Sequence, residues 1–163
     1  MPEAAAAIDA SPLILLSRVG RLDLLLTLER RLIVPRPVLD EIYAKGNADP
    51  AAKSLLAAPY LEAASALQIP QAILRWGLGK GESSVLAWAA EHPGALALLD
   101  DLAARRCAQA LAVPVLGTAG LVLLAKRRGA ISSASAVLNQ LREAGMYLSQ
   151  SILATLKARA GEP

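Results

Sequence analysis

Residues Ala95-Leu96-Ala97-Leu98-Leu99 form an unbroken apolar run that stops abruptly at Asp100-Asp101. A short run with no polar alternation suits a strand covered on both faces, and such strands belong to parallel sheets flanked by helices. A second run, Ala4-Ala5-Ala6-Ala7-Ile8, also stops at an acid, Asp9, and is followed by Ala10-Ser11-Pro12. Ser11 is a natural N-cap and Pro12 a natural first helical residue, so a helix with Leu13, Leu16 and Val19 is expected there. After a break at Gly20, residues 22–28 read as a second helix.

The same alternation continues along the chain. Residues 32–35 read as a strand, Pro37 opens a helix that Gly46 closes, residues 49–59 read as helix and 67–70 as a short strand. Gly77-Leu78-Gly79-Lys80-Gly81-Glu82 is a glycine-rich turn into a helix whose Val85, Leu86, Ala89 and Ala90 face inward, ended by His92-Pro93-Gly94. Helix over 103–111, an edge strand over 113–116 and helix over 118–128 follow, then amphipathic helices over 132–144 and 149–159. Strand and helix in this order predict an α/β fold with an open, mainly parallel sheet and helices on both faces. Residues 1–148 are expected to form the domain and 149–163 a helical extension packed on it.

Composition narrows the function. The chain is 55% hydrophobic but only 3% aromatic and has no Phe, so Leu, Ala, Val and Ile must fill the core. Mean hydropathy is +0.42, yet no apolar run approaches the ~20 residues a spanning helix needs. Glu3 and alanines stand where a secretory leader has a basic segment, so a cytoplasmic protein is expected. Cys107 is the single cysteine and His92 the single histidine, which removes the ligands that zinc prefers. A net charge of +3 favours an anionic partner.

In open α/β sheets, functional groups gather at the carboxyl ends of strands. Asp9 and the Asp100-Asp101 pair end strands, Glu41 lies in the helix after the second strand, and Glu82 heads the helix after the glycine turn. Collected carboxylates suit a hard cation, Mg²⁺ or Mn²⁺, which polarises a phosphodiester and activates water. Each acid also has a structural reading. Asp9 is a turn residue, although Ser11 already serves as the cap; one of Asp100 and Asp101 caps the next helix. Glu82 is favoured at a helix start by the macrodipole, and Glu41 is a solvated surface acid.

Ile8-Asp9-Ala10-Ser11-Pro12-Leu13-Ile14, Gly79-Lys80-Gly81-Glu82, Leu99-Asp100-Asp101 with Ala104-Arg105, and Gly117-Thr118-Ala119-Gly120 follow one another in an order that resembles the PIN-domain-like proteins grouped as DUF3368. These are relatives of the toxin nucleases of bacterial toxin–antitoxin pairs, and the resemblance spans residues 8–148. It implies a PIN-like fold and metal-dependent endoribonuclease activity on single-stranded or structured RNA. It further implies Asp9, Glu41, Glu82 and Asp100 as catalytic acids, Asp9, Glu82, Asp100 and Asp101 as ligands of Mg²⁺ or Mn²⁺, and Ser11, Arg105 and Thr118 as residues facing the substrate. Better-known PIN nucleases carry Thr or Ser, a spacer and Asp after the fourth strand, whereas here two adjacent acids stand there. A cognate antitoxin protein is an expected partner, and the exposed apolar content and helical tail suit a homodimer.

Three other readings compete with this one. A phosphate loop needs Ser or Thr after Gly-Lys, but Gly81 follows Lys80. A haloacid-dehalogenase-like phosphatase needs a second Asp two residues after the first, where Ser11 stands. A non-catalytic RNA- or protein-binding module remains the alternative, with Arg105-Arg106 and Lys126-Arg127-Arg128 as its phosphate contacts.

Overall fold

The computed structural model describes residues 4–163, so Glu3, used above to argue against a leader, lies outside the described residues. Strands β1 (Ala5–Ile8), β2 (Arg31–Pro35), β3 (Leu61–Ala64), β4 (Leu96–Leu98) and β5 (Val115–Leu116) form one parallel sheet in the order β3-β2-β1-β4-β5. Helix α1 (Ala10–Arg18) and a 3₁₀ helix (Leu22–Leu28) connect β1 to β2, and α2 (Arg36–Tyr43) and α3 (Pro50–Leu56) connect β2 to β3. Next come α4 (Gln71–Leu74) and α5 (Lys80–Glu91) before β4, and α6 (Leu102–Ala110) before β5. Helices α7 (Thr118–Arg127), α8 (Ala134–Glu143) and α9 (Gln150–Arg159) complete the chain.

All four residues of β1 are buried, so both faces of the central strand are covered. Its alanines let helices approach closely, and α5 packs across β1, β2 and β4. The bulk that alanine lacks comes from leucines, with Leu13, Leu16, Leu24, Leu25, Leu86, Leu98 and Leu121 fully buried. Each contributes about 1.5–3 kcal/mol relative to exposure. Among the described residues no helix is long and apolar enough to cross a membrane.

Three expectations of local structure need correction. No strand forms over 67–70; the edge strand is Leu61–Ala64, which the alternation pattern missed. That edge strand is half-exposed and alanine-rich, and Glu62 pairs with Arg31 of β2 at 3.1 Å, so a strong apolar signal was absent. Leu67 and Ile69 pack on the core as extended chain without a ladder partner, and Pro70 caps α4. The second correction concerns α1, which begins at Ala10 with Asp9 in the N-cap position. Ser11 and Pro12 thus sit inside the first turn, where a missing N–H on proline costs nothing because those donors have no intrahelical partner. Residues 22–28 also wind as a 3₁₀ helix rather than an α-helix.

The chain end is tied down by charge. Glu162 accepts hydrogen bonds from the backbone N–H groups of Ala134 (2.8 Å) and Ser135 (3.1 Å) and from Ser133 Oγ (3.1 Å), and lies 3.6 Å from Lys126 Nζ. It therefore completes the N-terminus of α8 from a distant part of the sequence, where the helix dipole favours an anion. These donors, led by the Ser135 N–H, pull its pKa down to about 2. A carboxylate with a depressed folded pKa stabilises the fold above its ordinary value, and that contribution is lost as pH falls toward 2. Glu162→Ala is expected to lower the thermal midpoint at neutral pH, with the gap to wild type closing as pH drops from 5 to 2. Thermal melts of both proteins across that range provide the check.

Candidate active site

The chain moves outward from β1 through β2 to β3, then returns to the other side of β1 as β4. Register pairs Ala7 with Ala97 and Ile8 with Leu98, and the Asp9 N–H continues the ladder to the Leu98 carbonyl at 3.1 Å. Asp9 and Asp100 are thereby delivered to neighbouring strand ends at the reversal point, where crevices form in such sheets.

Asp9 is buried, 5% exposed, and makes no side-chain cap bond to α1 although it holds the cap position. Burial raises its pKa to about 7, the charges of Glu82, Glu41 and Asp100 push the same way, and the Ala10 backbone N–H opposes them. Glu41 reaches the same place from α2, whose Val38 and Ile42 anchor the inner face. At the start of α5, Gly81 provides the space. A Cβ built there would lie 3.0 Å from Glu41 Oε2 and 3.2 Å from Asp9 Oδ1, so two carboxylate oxygens converge on a point where a side chain would press on both.

Asp100 is oriented by its neighbours. Its Oδ1 accepts from the Thr118 N–H at 2.7 Å, and its Oδ2 accepts from Thr118 Oγ1 at 2.7 Å and Ser11 Oγ at 3.3 Å. Thr118 is fully buried at the first turn of α7, and Gly117 before it lacks a capping side chain, so Asp100 serves that helix end. A Cβ on Gly117 would lie 3.1 Å from Arg105 Nη1 and 3.2 Å from Asp100 Oδ1, which shows how closely the guanidinium and carboxylate gather around it.

The remaining two acids are partly committed elsewhere. Glu82 lies near Asp9, but its Oε2 accepts from the Gly79 N–H at 3.1 Å and ties the start of α5. Burial raises its pKa, the Gly79 N–H opposes, and Asp101 and Glu41 add to the rise. Asp101 caps α6 by accepting from the Ala104 N–H at 2.9 Å. The doubled acid after β4 is therefore divided: Asp100 turns to Ser11 and Thr118, Asp101 to its own helix.

Beside the acids runs a groove of ≈ 980 Å³ lined by Ser11, Glu41, Asp100 and Arg105. Lys45, Arg18, Arg127 and Arg159 line it as well, with Met146, Tyr147 and Ile152. Sequence reasoning singled out Arg105 and Arg127 as phosphate contacts but missed Arg18, Lys45, Arg159 and the cradle at Gly81. A signal for Arg18 exists, since Ser11, Ile14, Leu15 and Arg18 repeat at helical spacing and all face the groove.

Among the described residues, no three acid, His or Cys side chains stand close enough together to hold a metal ion as a ready-made cage. Mg²⁺ does not require one, because it is usually held by one or two carboxylates, with waters and substrate phosphates filling its other positions. The oxygen-only donor set of Asp9 and Glu41 over Gly81, with Asp100 nearby, fits that demand.

The sheet is parallel throughout, and its acids lie at the reversal point, where sites of open α/β sheets form. The chain matches the family model DUF3368, described as a PIN domain, over residues 5–162, and it belongs to that family. No curated protein and no solved structure matches it. PIN domains generally use divalent metal ions, and the family points to RNA as the bound molecule.

The raised pKa of Asp9 makes a stability prediction. The folded state holds the proton more tightly than the unfolded chain, so stability from this group is fullest below pH 4 and falls as pH rises through about 7. With chelator present, Asp9→Asn should gain on wild type as pH rises from 4 to 8. The expected gain at pH 8 is about 1–3 kcal/mol, read from urea melts. Parallel stability curves for the two proteins would contradict it.

Proposed function

We propose that this protein is a metal-dependent endoribonuclease of PIN type acting in the cytoplasm. The observation that carries the reading is the convergence of Asp9 and Glu41 on Gly81, with Asp100 held beside them, along a groove rich in arginine. Asp9 and Glu41 would hold Mg²⁺ or Mn²⁺, with Asp100 and Glu82 completing the anionic surroundings. A cation there supplies Lewis-acid polarisation of a phosphodiester and lowers the pKa of bound water.

The chain's own residues do the rest. Thr118 and Ser11 fix the Asp100 carboxylate so that it cannot swing away. Arg105, close beside Asp100, places a permanent positive charge where a scissile phosphate would lie, and its planar fork suits phosphate oxygens. Burial makes ionised Asp9 unfavourable without a counter-charge, so the fold itself favours taking up a cation there.

The test is RNA cleavage with Mn²⁺, Mg²⁺ or EDTA. Wild type is expected to cut only with metal, and Asp9→Ala at least about a hundredfold more slowly. Equal cutting by both proteins, or no cutting across a broad RNA set, would move the reading to a non-catalytic RNA- or protein-binding module. That alternative draws on the capping bonds of Glu82 and Asp101, which keep two of the acids occupied. In the toxin form of the proposal, expression arrests growth, Asp9→Ala relieves the arrest, and a cognate antitoxin binds. Homodimerisation belongs to the same reading and is checked by light scattering at two concentrations.

Gly81→Ala tests the cradle directly, with the thermal midpoint measured beside cleavage because the added methyl also meets Val38 Cγ2 at 3.4 Å. The same methyl group would crowd Glu41 Oε2 and Asp9 Oδ1, and cleavage should fall about ten- to a hundredfold. Unchanged cleavage with an intact fold would show that the two carboxylates need not meet there.

A further inference from the structure

The segment between α8 and α9 presents an aromatic ring to the groove. Tyr147 is 87% exposed, the most exposed of the large hydrophobic side chains among the described residues, yet its neighbours are anchored. Met146 packs against the core and its N–H donates to the Leu141 carbonyl at 2.9 Å, while Leu148 is buried. Arg18 Nη1 donates to the Ala144 carbonyl at 3.0 Å, and Gly145 takes the left-handed turn at φ +115. The backbone beneath the ring is thus anchored, and a tyrosine has only two side-chain torsions to lose when a base stacks on it.

The groove's charge decides what would stack there. Arg18, Lys45, Arg105, Arg127 and Arg159 line it against only Glu41 and Asp100. A cation-lined groove with an outward aromatic ring is the arrangement by which proteins hold single-stranded nucleic acid: phosphates track the cations and a base stacks on the ring. In a duplex the bases are already stacked on one another, so an exposed ring gains nothing from them. Single-stranded RNA is among the substrates the family resemblance implies; we propose that Tyr147 is the residue that stacks a base of such a strand in this groove, with Arg127 and Arg159 as phosphate contacts. The proposal rests on the ribonuclease reading only for the choice of RNA as the polyanion.

Binding is measured with wild type in EDTA, so that no cleavage intervenes, by anisotropy of a short labelled single-stranded RNA. A second probe carries 2-aminopurine, whose fluorescence is quenched by stacking. Tyr147→Ala should weaken binding about tenfold and abolish the quench, while Tyr147→Phe keeps both. Arg127→Ala and Arg159→Ala should each weaken binding and reduce the salt dependence by about one phosphate contact. An unchanged melting midpoint for Tyr147→Ala, expected of so exposed a residue, excludes a folding effect.

The proposal is overturned if Tyr147→Ala binds as wild type does, if duplex RNA competes as well as the single strand, or if the groove takes up a protein partner and no RNA. The two readings separate cleanly. Tyr147-dependent binding without any metal-dependent cutting keeps the platform and removes the nuclease. Cutting with Tyr147-independent binding does the reverse.

Discussion

β1 is the middle strand of the sheet, and its parallel pairing with β4 carries the chain's reversal across the fold. The ladder runs from Ala6–Leu96 to Ile8–Leu98 and one step further through the Asp9 N–H. A slip of that register by one residue would turn the side chains of one strand to the opposite face of the sheet. Asp9 and Asp100 would then no longer arrive together. The alanines of β1 belong to the same constraint, because they put little bulk between the strand and α5, whose Gly81 sits against the Asp9 carboxylate.

Gathering acids there works against the stability of the fold. Burial and three neighbouring carboxylates hold Asp9 near pKa 7, so the folded chain carries an unsatisfied demand for a proton or a cation. Elsewhere the protein treats its acids conventionally. Asp49, Asp101 and Glu162 accept from helix N-termini, where an anion stabilises the backbone. The contrast singles out Asp9: it occupies a cap position and leaves the cap bond unmade.

The groove joins the acids to the rest of the surface through segments remote in sequence. α1 supplies Ser11 and Arg18, α6 Arg105, α7 Arg127, and α9 Arg159. Glu162, just beyond α9, binds the start of α8 and so fixes the chain on both sides of that wall. Charge placed at the C-terminus therefore helps to hold the geometry that the N-terminal strand begins.

The parallel α/β class, the strand ends at Asp9 and Asp100, and the glycine turn before α5 were legible in the sequence, because apolar runs and turn residues are local signals. So was the family, since its motifs are short and ordered along the chain. The edge strand at Leu61–Ala64 was not, because a half-exposed strand of small residues carries little apolar pattern. Nor could local signals divide Asp100 from Asp101, or show that Ser11 orients Asp100 rather than capping α1. Those outcomes turn on hydrogen bonds between residues 18 and 89 positions apart, to Thr118 and Ser11. The sequence by itself determined which acids end strands and which helices cross between them. Only the tertiary structure decided which carboxylates meet and which are used as caps, because burial and long-range partners, not sequence spacing, set the environment of a charge.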